Sequence, residues 1–199
     1  MTGIGVVVVG ASWGGLNALS KLFGAMPGEF GVPIVVVQHR SRHADNLLAS
    51  LLQDITPLRV VDVEDKEPLE PHSVYVAPAN YHLLVEAGHL SLTTDPLVRF
   101  SRPSIDVTFT SAGDAYRSAT LGVVLTGAND DGARGLRYIV NCGGRGIIQD
   151  PATAESSAMP TAAVKAVPEA EVLTLEEIPP RLVQITSPQS SRSQKMKAG

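Results

Sequence analysis

Four consecutive valines, Val6 to Val9, run directly into Gly10-Ala11-Ser12-Trp13-Gly14-Gly15. An unbroken β-branched run reads as a fully buried parallel strand, because only a half-exposed strand alternates apolar with polar residues. Beyond Gly15, Leu16, Leu19, Leu22 and Phe23 recur at helical spacing, and Pro27-Gly28 ends the pattern. Ser12 is therefore expected on a strand-to-helix turn. Backbone N–H groups at a helix N-terminus lack intrahelical acceptors and carry the positive end of the dipole, so an oxyanion or phosphate there is stabilised. The residues alone leave three readings: a nucleophile elbow of Gly-x-Ser-x-Gly type, a phosphate cradle, or a tight turn needed only for packing.

Strand and helix patterns alternate along the rest of the chain, which selects an α/β fold around a mostly parallel, doubly wound sheet. Pro33 to Gln38, with Ile34-Val35-Val36-Val37 at its centre, reads as a second buried strand, and His39 follows it directly; Asp45 is placed to cap a helix whose Leu47, Leu48, Leu51 and Leu52 face the core. A third strand is expected over 58–63. Val74-Tyr75-Val76, Tyr81 to Val85 and His89 to Leu92, around Ala87-Gly88, together read as a small antiparallel hairpin insertion. Ser104 is expected to cap a helix with Ile105, Phe109, Ala112 and Tyr116 on one face, followed by a strand over 121–125. The loop Thr126-Gly127-Ala128-Asn129-Asp130-Asp131-Gly132 then leads into a helix carrying Leu136, Ile139 and Val140, which Gly143-Gly144 ends. A strand over 146–149 and a helix begun by Pro160 complete the expected sheet.

The length of 199 residues and a 44% hydrophobic content suit one domain, expected over 1–186, with a polar, disordered tail over 187–199. A net charge of −4 argues against a nucleic-acid partner, since neutralising phosphates needs a basic surface. Cys142 is the single cysteine, so no intramolecular disulfide and no thiolate zinc cluster can form, and a cytoplasmic location is expected. The first apolar stretch breaks at Gly10 and has no Lys or Arg before it, unlike a signal peptide or a membrane span.

In an open parallel sheet ligands bind at the carboxyl ends of the strands. Ser12, His39 and either Asp130 or Asp131 fall at three such ends. A serine hydroxyl becomes a competent nucleophile when a neutral imidazole takes its proton, and a carboxylate holds that imidazole in the right tautomer. The order Ser, His, Asp differs from the Ser, Asp/Glu, His order of α/β-hydrolases, and no strand precedes the nucleophile to carry their oxyanion loop, so that assignment is rejected. Each residue also has a structural reading: His39 as a hydrogen-bonded core histidine, and Asp130 or Asp131 as the cap of the helix that follows. His43, His72, His82 and His89 read as structural or solvated, and Cys142 as a packing residue. Arg40, Arg42, Arg102 and Arg134 flank the site, and two readings stand for them: merely solvated side chains, or a group able to attract an acidic partner. A nucleotide-binding module lacks support, since the turn has no Walker lysine and misses the Gly-x-Gly-x-x-Gly spacing. A non-catalytic scaffold that only docks a receptor is the third class.

Taken together, Gly10-Ala11-Ser12-x-Gly14-Gly15, Gln38-His39, Tyr75-Val76-Ala77-Pro78, Arg102-Pro103-Ser104-Ile105-Asp106, Leu125-Thr126-Gly127 with Asp131-Gly132-Ala133, and Met159-Pro160 resemble the catalytic domain of CheB-type protein-glutamate methylesterases. The resemblance runs in register from about Gly5 to Ile185. It implies a three-layer α/β/α domain and a triad of Ser12, His39 and Asp131, the acid being the one before Gly132. The implied reaction is hydrolysis of γ-glutamyl methyl esters on chemoreceptor proteins, with glutamine deamidation as a side activity and no cofactor or metal. The backbone N–H of Trp13, with those of the Gly127-Ala128 loop, is expected to hold the oxyanion. Trp13 and Ala128 depart from the Thr and Met usual in that family, and both positions are expected to bear on substrate choice. The typical enzyme carries a receiver domain ahead of the catalytic strand; this sequence opens on that strand, so an uncovered site is expected.

Overall fold

A computed structural model describes residues 3–40 and 47–187. The valine run forms β1 (Val6–Ala11), buried at every position. Its neighbours are β2 (Ile34–Gln38) and β7 (Thr120–Val124), both parallel to it. With β3 (Arg59–Asp62), β4 (Ser73–Val76), β8 (Arg145–Gln149) and β9 (Glu171–Leu173) they make a seven-stranded sheet in the order β3-β4-β2-β1-β7-β8-β9, parallel throughout. A separate antiparallel pair, β5 (His82–Glu86) and β6 (His89–Thr93), turns at Ala87-Gly88, where Gly88 takes a φ of +84° that favours glycine.

Alternation along the strands divides the core into two layers. Val7, Val9 and Ala11 pack with Leu19, Leu22 and Phe23 of α1 (Gly15–Gly24), Leu52 of α2 (Leu47–Gln53) and Leu182 of α6 (Ile178–Thr186). Val6 and Val8 face the opposite layer, with Phe109 of α3 (Ile105–Tyr116), Ile139 of α4 (Ala133–Asn141) and Met159 of α5 (Ala158–Ala166). The α/β/α arrangement and the hairpin insertion are thus as the sequence leads one to expect.

Several local expectations are corrected. Val74 to Val76 belong to β4, hydrogen-bonded in parallel between β2 and β3, and only β5 and β6 form the insertion. Leu16, Leu47 and Leu51 are exposed, because a helix lying on a sheet buries a limited stripe and Leu19, Leu22, Leu48 and Leu52 already fill it. α5 starts at Ala158, ahead of Pro160, and β9 and α6 extend the fold beyond the last expected helix. Asp45, Arg42, His43 and residues 188–199 of the expected tail lie outside the described residues.

Candidate active site

The carboxyl ends of β2, β1 and β7, three adjacent strands, deliver His39, Ser12 and the 126–132 loop to one edge of the sheet. His39 Nδ1 lies 3.2 Å from Ser12 Oγ, and Nε2 lies 2.8 Å from Asp131 Oδ2. An ionised Asp131 accepts a hydrogen bond from Nε2–H, which leaves the Nδ1 lone pair for the serine proton. The Asp131 side chain is fully buried and that of His39 is 12% exposed. Asn129 Nδ2 also approaches Nδ1, at 3.4 Å.

What holds Asp131 is an exchange of helix caps. Its Oδ1 accepts from Ser104 Oγ at 3.0 Å and Asp106 N at 2.9 Å, and its Oδ2 accepts from Ile105 N at 2.8 Å. These donors open α3, so Asp131 caps a helix remote in sequence rather than simply the one after it. Ser104, expected to cap α3 itself, donates its hydroxyl to Asp131 and makes no side-chain cap bond. Asp106 reciprocates: Oδ1 accepts from Gly132 N at 2.9 Å and Gly135 N at 2.7 Å, at the start of α4, and Oδ2 pairs with Arg134 Nε at 3.2 Å. Burial alone would push the Asp131 carboxyl up, but the hydrogen bonds from His39 and the Asp106 and Ile105 amides outweigh it and hold the carboxyl below the usual aspartate range.

The turn bearing Ser12 is clamped from three sides. Ser12 N donates to Thr126 O at 2.9 Å, and Gly15 N donates back to Ser12 O at 2.8 Å. Gln38 Nε2 donates to both Ser12 O (2.8 Å) and His39 O (2.9 Å), locking the ends of β1 and β2 together. Thr126 Oγ1 donates to Trp13 O at 2.9 Å and accepts from Ser156 N at 2.9 Å. Gly14 sits at φ +76°, and a Cβ on Gly127 would lie 2.0 Å from Met159 Sδ, so both positions require glycine.

Ser12, Trp13, Leu16, His39, Ala128 and Glu155 line an open cleft of about 630 Å³. Trp13 N and Ala128 N border it and have no hydrogen-bond acceptor among the described residues. Gly127 N, the third expected oxyanion donor, donates to Ser156 O at 3.0 Å. Asp130 caps nothing with its side chain; it forms an exposed ion pair with Arg99. His82 is buried between Pro96 O and Ser104 N, and His89 pairs with Glu86 at 3.4 Å. His72 is exposed, and Cys142 is partly buried at the end of α4. Among the described residues no group of His, Cys, Asp and Glu is arranged to hold a metal ion.

Residues 7–182 match the family model of the CheB methylesterase. The chain belongs to that family. It is 43% identical over 173 residues to a candidate protein-glutamate methylesterase/protein-glutamine glutaminase of Leptospira interrogans, covering 86% of this chain and 90% of that one. It is 41% identical over 180 residues to the protein-glutamate methylesterase FrzG of Myxococcus xanthus, covering 90% of this chain and 54% of that one. The crystal structure of the Thermotoga maritima CheB methylesterase catalytic domain superposes with a TM-score of 0.87 at 33% identity, over 92% of this chain and 99% of that one. The two departures from the CheB motifs, Trp13 and Ala128, both line the cleft, and Trp13 is 67% exposed on its rim.

Ser12, His39 and Asp131 are legible in the sequence as candidates, whereas the bonds made by Gln38, Asp106 and Asn129 are not. Gln38 and Asp106 stood inside recognisable motifs; what they do depends on partners 26 and 29 residues away.

Proposed function

We propose that the chain is a serine hydrolase that cleaves γ-glutamyl methyl esters on methyl-accepting chemoreceptor proteins, and deamidates glutamine side chains at the same site. Ser12 Oγ attacks the ester carbonyl carbon while His39 Nδ1 takes its proton, and Asp131 stabilises the imidazolium through Nε2–H. Trp13 N–H and Ala128 N–H stabilise the tetrahedral oxyanion. His39 then gives the proton to the methoxy oxygen and methanol leaves. Water enters, His39 deprotonates it, and the acyl-serine is hydrolysed to a glutamate carboxylate and free Ser12. With a glutamine substrate the same sequence releases ammonia.

The observation that carries this reading is the unbroken relay from Ser12 through His39 to a buried Asp131, in a chain of the CheB methylesterase family. No described helix is long and apolar enough to cross a membrane. The test is methanol release from a methylated receptor fragment. Wild-type protein should release methanol, and a folded Ser12→Ala variant should lose about 10⁴-fold or more in kcat. Undiminished turnover by that variant would refute the assignment.

A further inference from the structure

Trp13 and Glu155 both line the cleft that holds Ser12. One hydroxyl ties their backbones together: Thr126 Oγ1 donates to Trp13 O and accepts from Ser156 N, each at 2.9 Å. From there the Glu155 side chain lies against the glycine turn. A Cβ on Gly14 would stand 2.7 Å from Glu155 Cβ and 2.9 Å from its Oε2, so the carboxylate is seated over the residue that follows Trp13.

Nothing in the protein neutralises that carboxylate. Glu155 is exposed and makes no hydrogen bond or ion pair among the described residues, and, His39 apart, it is the one side chain lining the cleft that carries a formal charge. The surface next to it is apolar and equally uncovered. Trp13 is 67% exposed and Leu16, in the first turn of α1, is 48% exposed, and both face the same cleft. An apolar wall beside an unpaired carboxylate is complementary to lysine or arginine, whose methylene stem covers apolar surface while its cationic head pairs with an acid or an aromatic face. A neutral side chain would leave the carboxylate without a partner, and an acidic one would be repelled.

We propose that Trp13, Leu16 and Glu155 form a subsite for a cationic side chain of the substrate protein, close in space to the glutamyl ester held at Ser12. The proposal rests on the hydrolase reading above and adds a recognition rule to it: esters with a lysine or arginine beside them are cleaved in preference to esters without one.

The test uses matched peptides carrying one γ-methyl glutamate and, at a position within about one helical turn of it, either lysine or acetyl-lysine. Acetylation keeps the stem and removes the charge. Methanol release gives kcat/KM for each peptide. At one or more positions wild-type protein should favour lysine about threefold or more at low salt, the effect of one exposed ion pair reinforced by an aromatic face, and the ratio should shrink toward one at about 1 M salt. In Glu155→Gln the ratio should fall to near one while turnover of the acetyl-lysine peptide stays at the wild-type rate, and Glu155→Asp should keep part of the preference. Trp13→Ala, which retains the backbone N–H, should reduce the ratio as well. A wild-type ratio near one at every position overturns the subsite while leaving the esterase standing. So does a preference undiminished in Glu155→Gln or in Trp13→Ala. Hydrolysis of no peptide removes the hydrolase reading and the subsite together.

Discussion

Loop 126–132 and the turn over 98–101 meet through the Arg99–Asp130 ion pair, yet they are held in different ways. In the loop, Thr126, Gly127 and Asp131 are buried, and side-chain and backbone bonds with the Ser12-Trp13 turn, the start of α3 and the Ser156 segment hold them. The turn is secured by two backbone bonds between Val98 and Ser101, carries Arg99 and Phe100 at positive φ, and leaves Phe100 97% exposed. The contrast falls between adjacent residues: Asp131 has no exposed side-chain surface, whereas Asp130 is 60% exposed. Burial with complete hydrogen bonding fixes a side chain in one place, while an exposed ion pair only ties a rim together.

Asp131→Asn should break the comparison most severely. An amide in that place cannot stabilise the imidazolium and leaves His39 in the wrong tautomer, so kcat should fall about 10⁴-fold. Steady-state kinetics check this, and circular dichroism should show a retained fold.

Asp106→Asn is the next step down. It keeps one acceptor for the α4 amides but loses the charge, with an expected destabilisation of about 1–3 kcal/mol and a smaller fall in kcat than Asp131→Asn. KM should stay near the wild-type value, because Asp106 acts by placing Asp131. Urea denaturation and kinetics on the same variant separate the two effects.

Acid should reveal the same carboxylate in the stability curve. The folded pKa of Asp131 is held below its unfolded value near 3.9, so it stabilises the fold fully above that value, and the contribution disappears as pH falls through the lowered folded value. Denaturation between about pH 5 and pH 2 should therefore be steeper for wild type than for Asp131→Asn.

Asp130→Asn should do least, since an exposed pair contributes about 0–1 kcal/mol. Its kcat should match wild type. Equal losses in Asp130→Asn and Asp131→Asn would erase the distinction between the two positions.

Much of this arrangement is readable in the chain before any coordinates. The valine run, the glycine turn and a histidine just past a second apolar strand place two of the three groups at the same edge of the sheet, since parallel strands share a carboxyl end. The choice of Asp131 over Asp130 came from family resemblance; local pattern alone left it open, because both acids precede a helix. The availability of the expected oxyanion amides is not legible in the chain, for a different reason. Whether an amide is available depends on its acceptor, and Gly127 N is taken by Ser156 O, 29 residues on. Val74 to Val76 were readable as a strand but not as a member of the main sheet, because period-2 patterning does not name a partner. β9 is three residues long and paired on one side only, too short to carry a period of its own.

In the proposed mechanism His39 and Asp131 make Ser12 a nucleophile. Labelling with a fluorophosphonate followed by peptide mapping tests it directly, because phosphonylation requires an activated hydroxyl and no receptor. One adduct per chain is expected, located on Ser12, forming rapidly in wild type, slowly in folded His39→Ala and Asp131→Asn, and not at all in Ser12→Ala. An adduct on another residue, or labelling of Ser12 at the same rate without His39, would contradict it.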